Sequence, residues 1–225
     1  MIIYHCNQGT DDWKQIRKGK ATASQFGKIL TPKTMKLSAQ SRSYAIKLAA
    51  EQLGVETQER PQTEAMKLGI EREPFARDEY AERHGVHVNE VGFVCPNDST
   101  DWGMSPDGMI GFDVGVGDLV IVDGLLEIKC PDSETLIEYH LNGVMPPAYA
   151  AQVQGQMWVA GAKWCDFFAY HPELEPFEIR VYPDLAYHAA LAEALPKFID
   201  QVNQIKSKVK RRELFNIDFG GFENE

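Results

Sequence analysis

Two short phrases hold the side chains of this sequence best suited to chemistry: Ser105-Pro106-Asp107-Gly108 and, after an apolar stretch that reads as strand, Glu127-Ile128-Lys129. In an extended strand alternate side chains share a face, so Glu127 and Lys129 point together, while Ile128 turns into the core and leaves its carbonyl near them. With Asp107 supplied from the neighbouring strand or turn, two carboxylates and a backbone oxygen make the hard donor set that Mg²⁺ or Mn²⁺ prefers. Lys129 beside them can orient or deprotonate a water. The competing interpretation is a surface salt bridge on an edge strand for Glu127 and Lys129, and a turn for Asp107-Gly108. Leu125, Leu126, Ile128 and Cys130 weigh against it, because they make the strand strongly apolar. Charges in a partly buried place are costly unless paired, and a cation between the carboxylates would pair them.

Two more places fit the same site. Glu73 lies in Leu68-Gly69-Ile70-Glu71-Arg72-Glu73-Pro74, on a helix preceding the strands, from which a glutamate can reach a cation or its water shell. Gln152 and Gln156 stand one helical turn apart on a helix expected to pack behind the Glu127 strand, with Gln152 able to hold a water or a phosphate oxygen. A helical Glu or Gln is by itself an ordinary surface residue; these gain weight from their position relative to Asp107 and Glu127.

The elements that must position these groups follow from periodicity. Asp11 or Asp12 caps a short helix carrying Trp13 and Ile16 and ended by Gly19. Thr22 or Ala23 opens another through Leu30, Ser41 to Leu53 carries a helical apolar stripe stopped at Gly54, and Thr63 to His84 is helical despite Gly69 and Pro74. The period then becomes strand-like over Val86 to Val94, Met109 to Phe112 and Leu119 to Cys130, with Gly115, Gly117 and Gly124 as turn or bulge signals. That Gly-x-Gly lacks the third glycine and the strand-to-helix setting of a dinucleotide loop. Asp132 or Ser133 caps a helix through Leu141. Gly143 and Pro146-Pro147 break it, and Ala148 to Ala160 forms the next. Strands over Trp164 to Tyr170 and Phe177 to Tyr182 and a long helix from Asp184 to Lys208 complete the pattern. The expected fold is α/β: a central mixed β-sheet flanked by helices, in one domain over 1–225 with a helical N-terminal third and a sheet core from about 86.

Composition sets limits. The chain has 225 residues, 44% hydrophobic and 25% charged, as is ordinary for a globular domain. No apolar run approaches a membrane span and the start lacks a signal-peptide pattern, so a cytoplasmic location and no membrane partner are expected. Cys6, Cys95, Cys130 and Cys165 are scattered, which suits reduced thiols rather than zinc, an iron–sulfur cluster or disulfides. His84 and His87 are more in keeping with a helix end than with a zinc site. The net charge of −10 argues against a uniformly basic DNA-binding surface. It leaves room for a local basic lane, since Arg17, Lys18, Lys20, Lys28, Lys33, Lys36 and Arg42 crowd the start and Lys206, Lys208, Lys210, Arg211 and Arg212 the end.

Several blocks, in order, resemble the phage lambda exonuclease type of viral recombinase, within the P-D-(D/E)-x-K nuclease superfamily: Asp12-Trp13 through Arg17 and Gly19, Thr22-Ala23-Ser24, Gly69 to Glu73, Ser105 to Gly108, Leu126 to Pro131, and Ala151 to Gln154 with Met157-Trp158. The resemblance spans most of the chain. It implies a restriction-endonuclease-like core and a Mg²⁺-dependent enzyme, in a bacterial or phage-infected cell, that digests one strand of linear duplex DNA from a 5′ end. The enzymes it resembles are homotrimeric rings threaded by DNA, phage-derived, which pass the exposed 3′ strand to a single-strand annealing protein for recombination.

Residue by residue, the resemblance makes Asp107, Glu127, the Ile128 carbonyl and Glu73 ligands for Mg²⁺, two ions per site, with Mn²⁺ as a substitute. Lys129 would position the attacking water and Gln152 stand beside the site. Arg17, Ser24 and Ser105 match a 5′-phosphate pocket. Met66, ahead of Glu73 on the same helix, matches a wedge that parts the terminal base pairs. Two rival functions stay open: a DNA endonuclease of the same superfamily, and a catalytically silent DNA-binding subunit.

Overall fold

Five strands form the central sheet in the spatial order Leu174–Val181, Trp164–His171, Gly124–Lys129, Gly108–Ile110 and Val88–Asn89. The Gly124–Lys129 strand runs parallel to Trp164–His171 and antiparallel to Gly108–Ile110, so the sheet is mixed, as expected. The structure is a computed structural model that describes residues 1–55, 61–111, 113–114 and 120–209.

Helices α1 (Asp11–Arg17), α2 (Ser41–Gln52), α3 (Glu64–His84), α4 (Ser133–Asn142), α5 (Ala150–Ala160) and α6 (Leu185–Lys208) surround the strands. Their ends follow side-chain capping. Thr63, Asp132 and Asp184 each accept a backbone N–H of the first turn, satisfying donors that have no partner within the helix. Thr10 does the same for α1, so the cap precedes the expected Asp11 and Asp12, which occupy the first turn. Gly143 ends α4 at φ +63°, a conformation a side chain would strain.

Alternation along Gly124–Lys129 sorts two faces. Leu126 and Ile128 bury against Ala76 and Tyr80 of α3, with Ile110 and Phe168 beside them. Leu125 faces the larger core, with Met109, Val153 and Met157 of α5, and Leu195 and Phe198 of α6. Fully burying an aliphatic side chain contributes about 1.5–3 kcal/mol, so this central strand is strongly fixed in register. Glu127 and Lys129 therefore fall on the α5 face.

Some expected elements are divided. Val86 to Val94 becomes Val88–Asn89, in the central sheet, and Phe93–Cys95, which pairs with Ile2–Tyr4. The helix expected from Thr22 or Ala23 through Leu30 is a 3₁₀ helix, Ala23–Lys28, followed by a Leu30–Thr31 and Lys36–Leu37 strand pair. Thus the N-terminal third adds short strands to its helices. Gly124 opens its strand instead of turning it: a Cβ there would lie 2.3 Å from the Trp164 ring. Phe112, Gly115, Gly117 and Leu119, like Lys210, Arg211 and Arg212, lie outside the described residues.

Candidate active site

The ladder between Gly108–Ile110 and Gly124–Lys129 stops at the pair Gly108 and Leu126. Two residues further along, the Ile128 N–H donates instead to Asp107 Oδ2 at 2.7 Å. A residue's N–H and C=O leave the same edge of a strand, so the Ile128 carbonyl also faces the Asp107 side, beyond the last ladder pair. Gly108 lets the flanking strands pack closely on both sides, since a Cβ on it would stand 2.3 Å from Val88 Cγ1 and 3.3 Å from Leu126 Cβ. Gln8 Nε2 holds the preceding turn, donating to the Pro106 carbonyl at 2.8 Å and to that of Val91 at 3.0 Å.

Glu127 is fully buried. Its Oε1 accepts from Lys129 Nζ and, at 2.6 Å, from Gln152 Nε2; Oε2 accepts from Gln156 Nε2 at 2.8 Å. Lys129 also lies over the Tyr149 ring, 5.2 Å from its centroid. Burial alone would lower the lysine pKa, but the Glu127 and Asp107 carboxylates override it and hold the ammonium above its ordinary value. Burial, then the nearby Glu127 charge, pushes the Asp107 carboxyl well above the usual range.

Glu73 reaches the site from α3, and burial raises its carboxyl too. Its Oε1 is taken by Arg77 Nη2 at 2.7 Å. The same guanidinium donates from Nε to the Asp107 carbonyl at 2.9 Å and pairs through Nη1 with Glu90 at 2.9 Å. Among the described residues no three His, Cys, Asp or Glu side chains form a group that could hold a metal ion as they stand. Glu127 is turned onto Lys129 and the glutamines, and Glu73 onto Arg77. The donor chemistry nevertheless fits a hard cation: oxygen groups only, two of them carboxyls whose charge burial disfavours and which a nearby cation would stabilise.

The expected phosphate-binding residues assemble around α1. Arg17 stacks on the Trp13 ring, 3.9 Å from its centroid, and Nη1 lies 3.5 Å from Ser105 Oγ. Trp13 Nε1 donates to Ser105 Oγ at 2.9 Å, and Ser105 donates to the Gly92 carbonyl at 2.7 Å. Arg17 and Ser24 line one cleft of about 840 Å³, together with Lys14, Lys18, Lys20 and Lys47. Burial lowers the Arg17 pKa to about 10, which still leaves it charged at neutral pH. No carboxylate pairs with it among the described residues. Ser24 instead meets Thr22 Oγ1 at 3.2 Å. Met66 is exposed in the first turn of α3, two turns before Glu73.

Residues 12–163 match the YqaJ-like viral recombinase domain. The chain belongs to that family. Its fold is similar to that of the alkaline exonuclease LHK-Exo from Laribacter hongkongensis, at 32% identity over 88% of this chain and 97% of the other, with a TM-score of 0.70. LHK-Exo in complex with dAMP matches at the same identity and coverage with a TM-score of 0.71. A phage-related exonuclease from Haemophilus somnus 129PT shares the fold at 14% identity, over 84% and 96% of the two chains, with a TM-score of 0.59. No curated protein matches.

Within this family member, Arg77 and Trp13 as a donor to Ser105 escaped the sequence pattern, and Gln156, which the sequence set beside Gln152, is a second amide on Glu127. Two signals were present, since Arg77 stands four residues after Glu73 and Gln156 four after Gln152, the spacing of helical neighbours. The histidine expectation is met at the helix end: His84 closes α3 and contacts Glu178 at 2.9 Å. All four cysteines are free thiols. No helix among the described residues is long and apolar enough to cross a membrane.

Proposed function

We propose that this protein is a Mg²⁺-dependent exonuclease that degrades one strand of linear duplex DNA in the 5′-to-3′ direction, leaving a 3′ single strand for annealing recombination. Family membership supports a nuclease role, and the dAMP complex of the Laribacter enzyme supports a nucleotide-binding site. The observation that carries the reading is the contact between the two motifs, where Asp107 is bonded to Ile128 beside the Lys129–Glu127 pair.

Asp107, Glu127, the Ile128 carbonyl and Glu73 would hold the ions, two per site, with Mn²⁺ able to replace Mg²⁺. When bound, they screen the phosphodiester, acidify the attacking water and steady the leaving oxygen. Lys129, kept as an ammonium, donates to and orients the incoming water, and Gln152 steadies an oxygen beside it. Arg17, Ser24 and Ser105 take the 5′-phosphate, giving the charged and hydroxyl donors that a phosphate accepts. Met66, apolar and exposed, is the wedge against the terminal base pairs.

The reading extends to a homotrimeric ring around the duplex that delivers the 3′ strand to an annealing protein. A ring accommodates the net charge of −10, with basic clefts turned to DNA and acidic surface turned outward. Incubation with Mg²⁺ and either a linear 5′-phosphorylated duplex or a covalently closed circle tests the reading. Loss of the linear substrate alone, with 5′ mononucleotides released from 5′ ends, is expected. Nicking of the circle would establish the endonuclease instead, and two intact substrates the silent subunit.

A further inference from the structure

We propose that Gln156 is a positioning residue for the metal-binding carboxylate, anchoring Glu127 by Oε2 so that Oε1 faces the site, where the Lys129 ammonium now stands in the place of a cation. The inference rests on the metal-site reading above. Gln152 and Gln156 lie one turn apart on α5 and divide the carboxylate between them, Gln152 on Oε1 at 2.6 Å and Gln156 on Oε2 at 2.8 Å. They differ in access. Gln152 is half-buried, whereas Gln156 is 1% exposed and reaches substrate only through Glu127.

The other end of the Gln156 amide identifies its purpose. Its Oε1 is buried and has no hydrogen-bond partner among the described residues. A buried acceptor left unmade costs stability, so the amide is not accounted for by its own packing. Reversing the amide offers no relief, because Oε1 would then oppose Glu127 Oε2, acceptor against acceptor. The side chain therefore gives up one bond to make the other, and the bond it keeps is the one to Glu127. Without it, Oε2 loses its donor and the carboxylate is free to turn about its last bond, drawing Lys129 toward either oxygen. Partners of this kind govern metal affinity by orienting the ligand they touch.

The test compares the wild type, Gln156→Met and Asp107→Asn. Mn²⁺ binding is read directly from the paramagnetic resonance signal of the free ion, and thermal stability is read in chelator. Gln156→Met is expected to weaken Mn²⁺ binding by roughly 10–100-fold, with a small fall in melting temperature because the buried Glu127 Oε2 loses its donor. Wild-type Mn²⁺ affinity in Gln156→Met, with Asp107→Asn impaired, overturns the role of Gln156 and leaves the metal site standing. A fall in melting temperature with unchanged Mn²⁺ affinity marks a packing residue and overturns it as well. Equal Mn²⁺ binding by Asp107→Asn and wild type removes the metal-site reading itself, and the inference with it.

Discussion

Asp107 Oδ2 accepts the Ile128 N–H at 2.7 Å, so the side chain of one motif takes the place of the missing strand partner of the other. That bond favours the charged carboxylate, yet burial and the Glu127 charge outweigh it and raise the Asp107 carboxyl well above its ordinary value. The centre is thus arranged against its own charge and in favour of a cation.

The first prediction is a stability reversal for Asp107→Asn. An unfolded aspartate titrates near about 3.9. Because the folded value is raised, the stability contributed by this group is fully present below that pH and is lost as pH rises through the folded value. Asparagine keeps an acceptor for Ile128 and removes the charge. In chelator, Asp107→Asn should melt above the wild type at neutral pH, with the gap closing towards pH ~4. Melting curves from pH 4 to 8 check this, and a variant less stable than wild type at neutral pH would contradict the buried-charge account.

Lys129→Ala should reduce cleavage by roughly 10²-fold or more, the scale seen when one donor aimed at developing charge is removed. Glu127 keeps its two amide donors, so duplex binding should remain near wild type. Single-turnover cleavage and fluorescence anisotropy separate the two effects. Retained cleavage would remove Lys129 from the chemistry, and a matching loss of DNA binding would assign it to substrate affinity.

Much of this centre follows from local periodicity. Glu127, Ile128 and Lys129 alternate across a strand, which places two charges on one face and Leu126 with Ile128 on the other, as the packing against α3 and α5 bears out. The caps at Thr63, Asp132 and Asp184 were readable for the same local reason. Strand partners were not. Val86 to Val94 alternates as one strand would, but alternation names no neighbour, and Val88–Asn89 and Phe93–Cys95 pair with different strands. Hydrogen bonds across long sequence separations were likewise hidden: nothing near Trp13 shows that its indole meets Ser105. The engaged state of Glu73 was half legible, since Arg77 lies one turn away on the same helix. The bond from Arg77 Nε to the Asp107 carbonyl exists only once α3 has docked on the sheet.

Arg77→Lys tests that docking. All three guanidinium nitrogens are occupied, Nε by the Asp107 carbonyl, Nη2 by Glu73 and Nη1 by Glu90. A lysine keeps the charge but is a single point donor in place of a planar fork. Cleavage should fall about 10–100-fold, as for groups that orient a metal ligand, with a rise in the Mg²⁺ concentration needed for half-maximal rate. If lysine supports the wild-type rate and Mg²⁺ dependence, charge alone suffices and the three-way clamp has no role in the site.

Arg17→Ala addresses the DNA end. The guanidinium lies over the Trp13 ring, close to Ser105 Oγ, with no carboxylate paired to it among the described residues. A half-buried cation left in this state is suited to an anion brought by substrate. A hydrogen bond to a charged group contributes about 1.5–3 kcal/mol, so Arg17→Ala should lower kcat/KM on 5′-phosphorylated duplex by roughly 10–100-fold and spare 5′-hydroxyl ends. Arg17→Lys should recover little, because an ammonium neither stacks on the indole as a plane nor forks to a phosphate. Ser105→Ala separates the hydroxyl from the cation, since it removes the group that Trp13 and Arg17 share without altering charge. Steady-state rates on the two end types decide the matter: an equal loss on both would take Arg17 out of the phosphate pocket and make it a brace for α1.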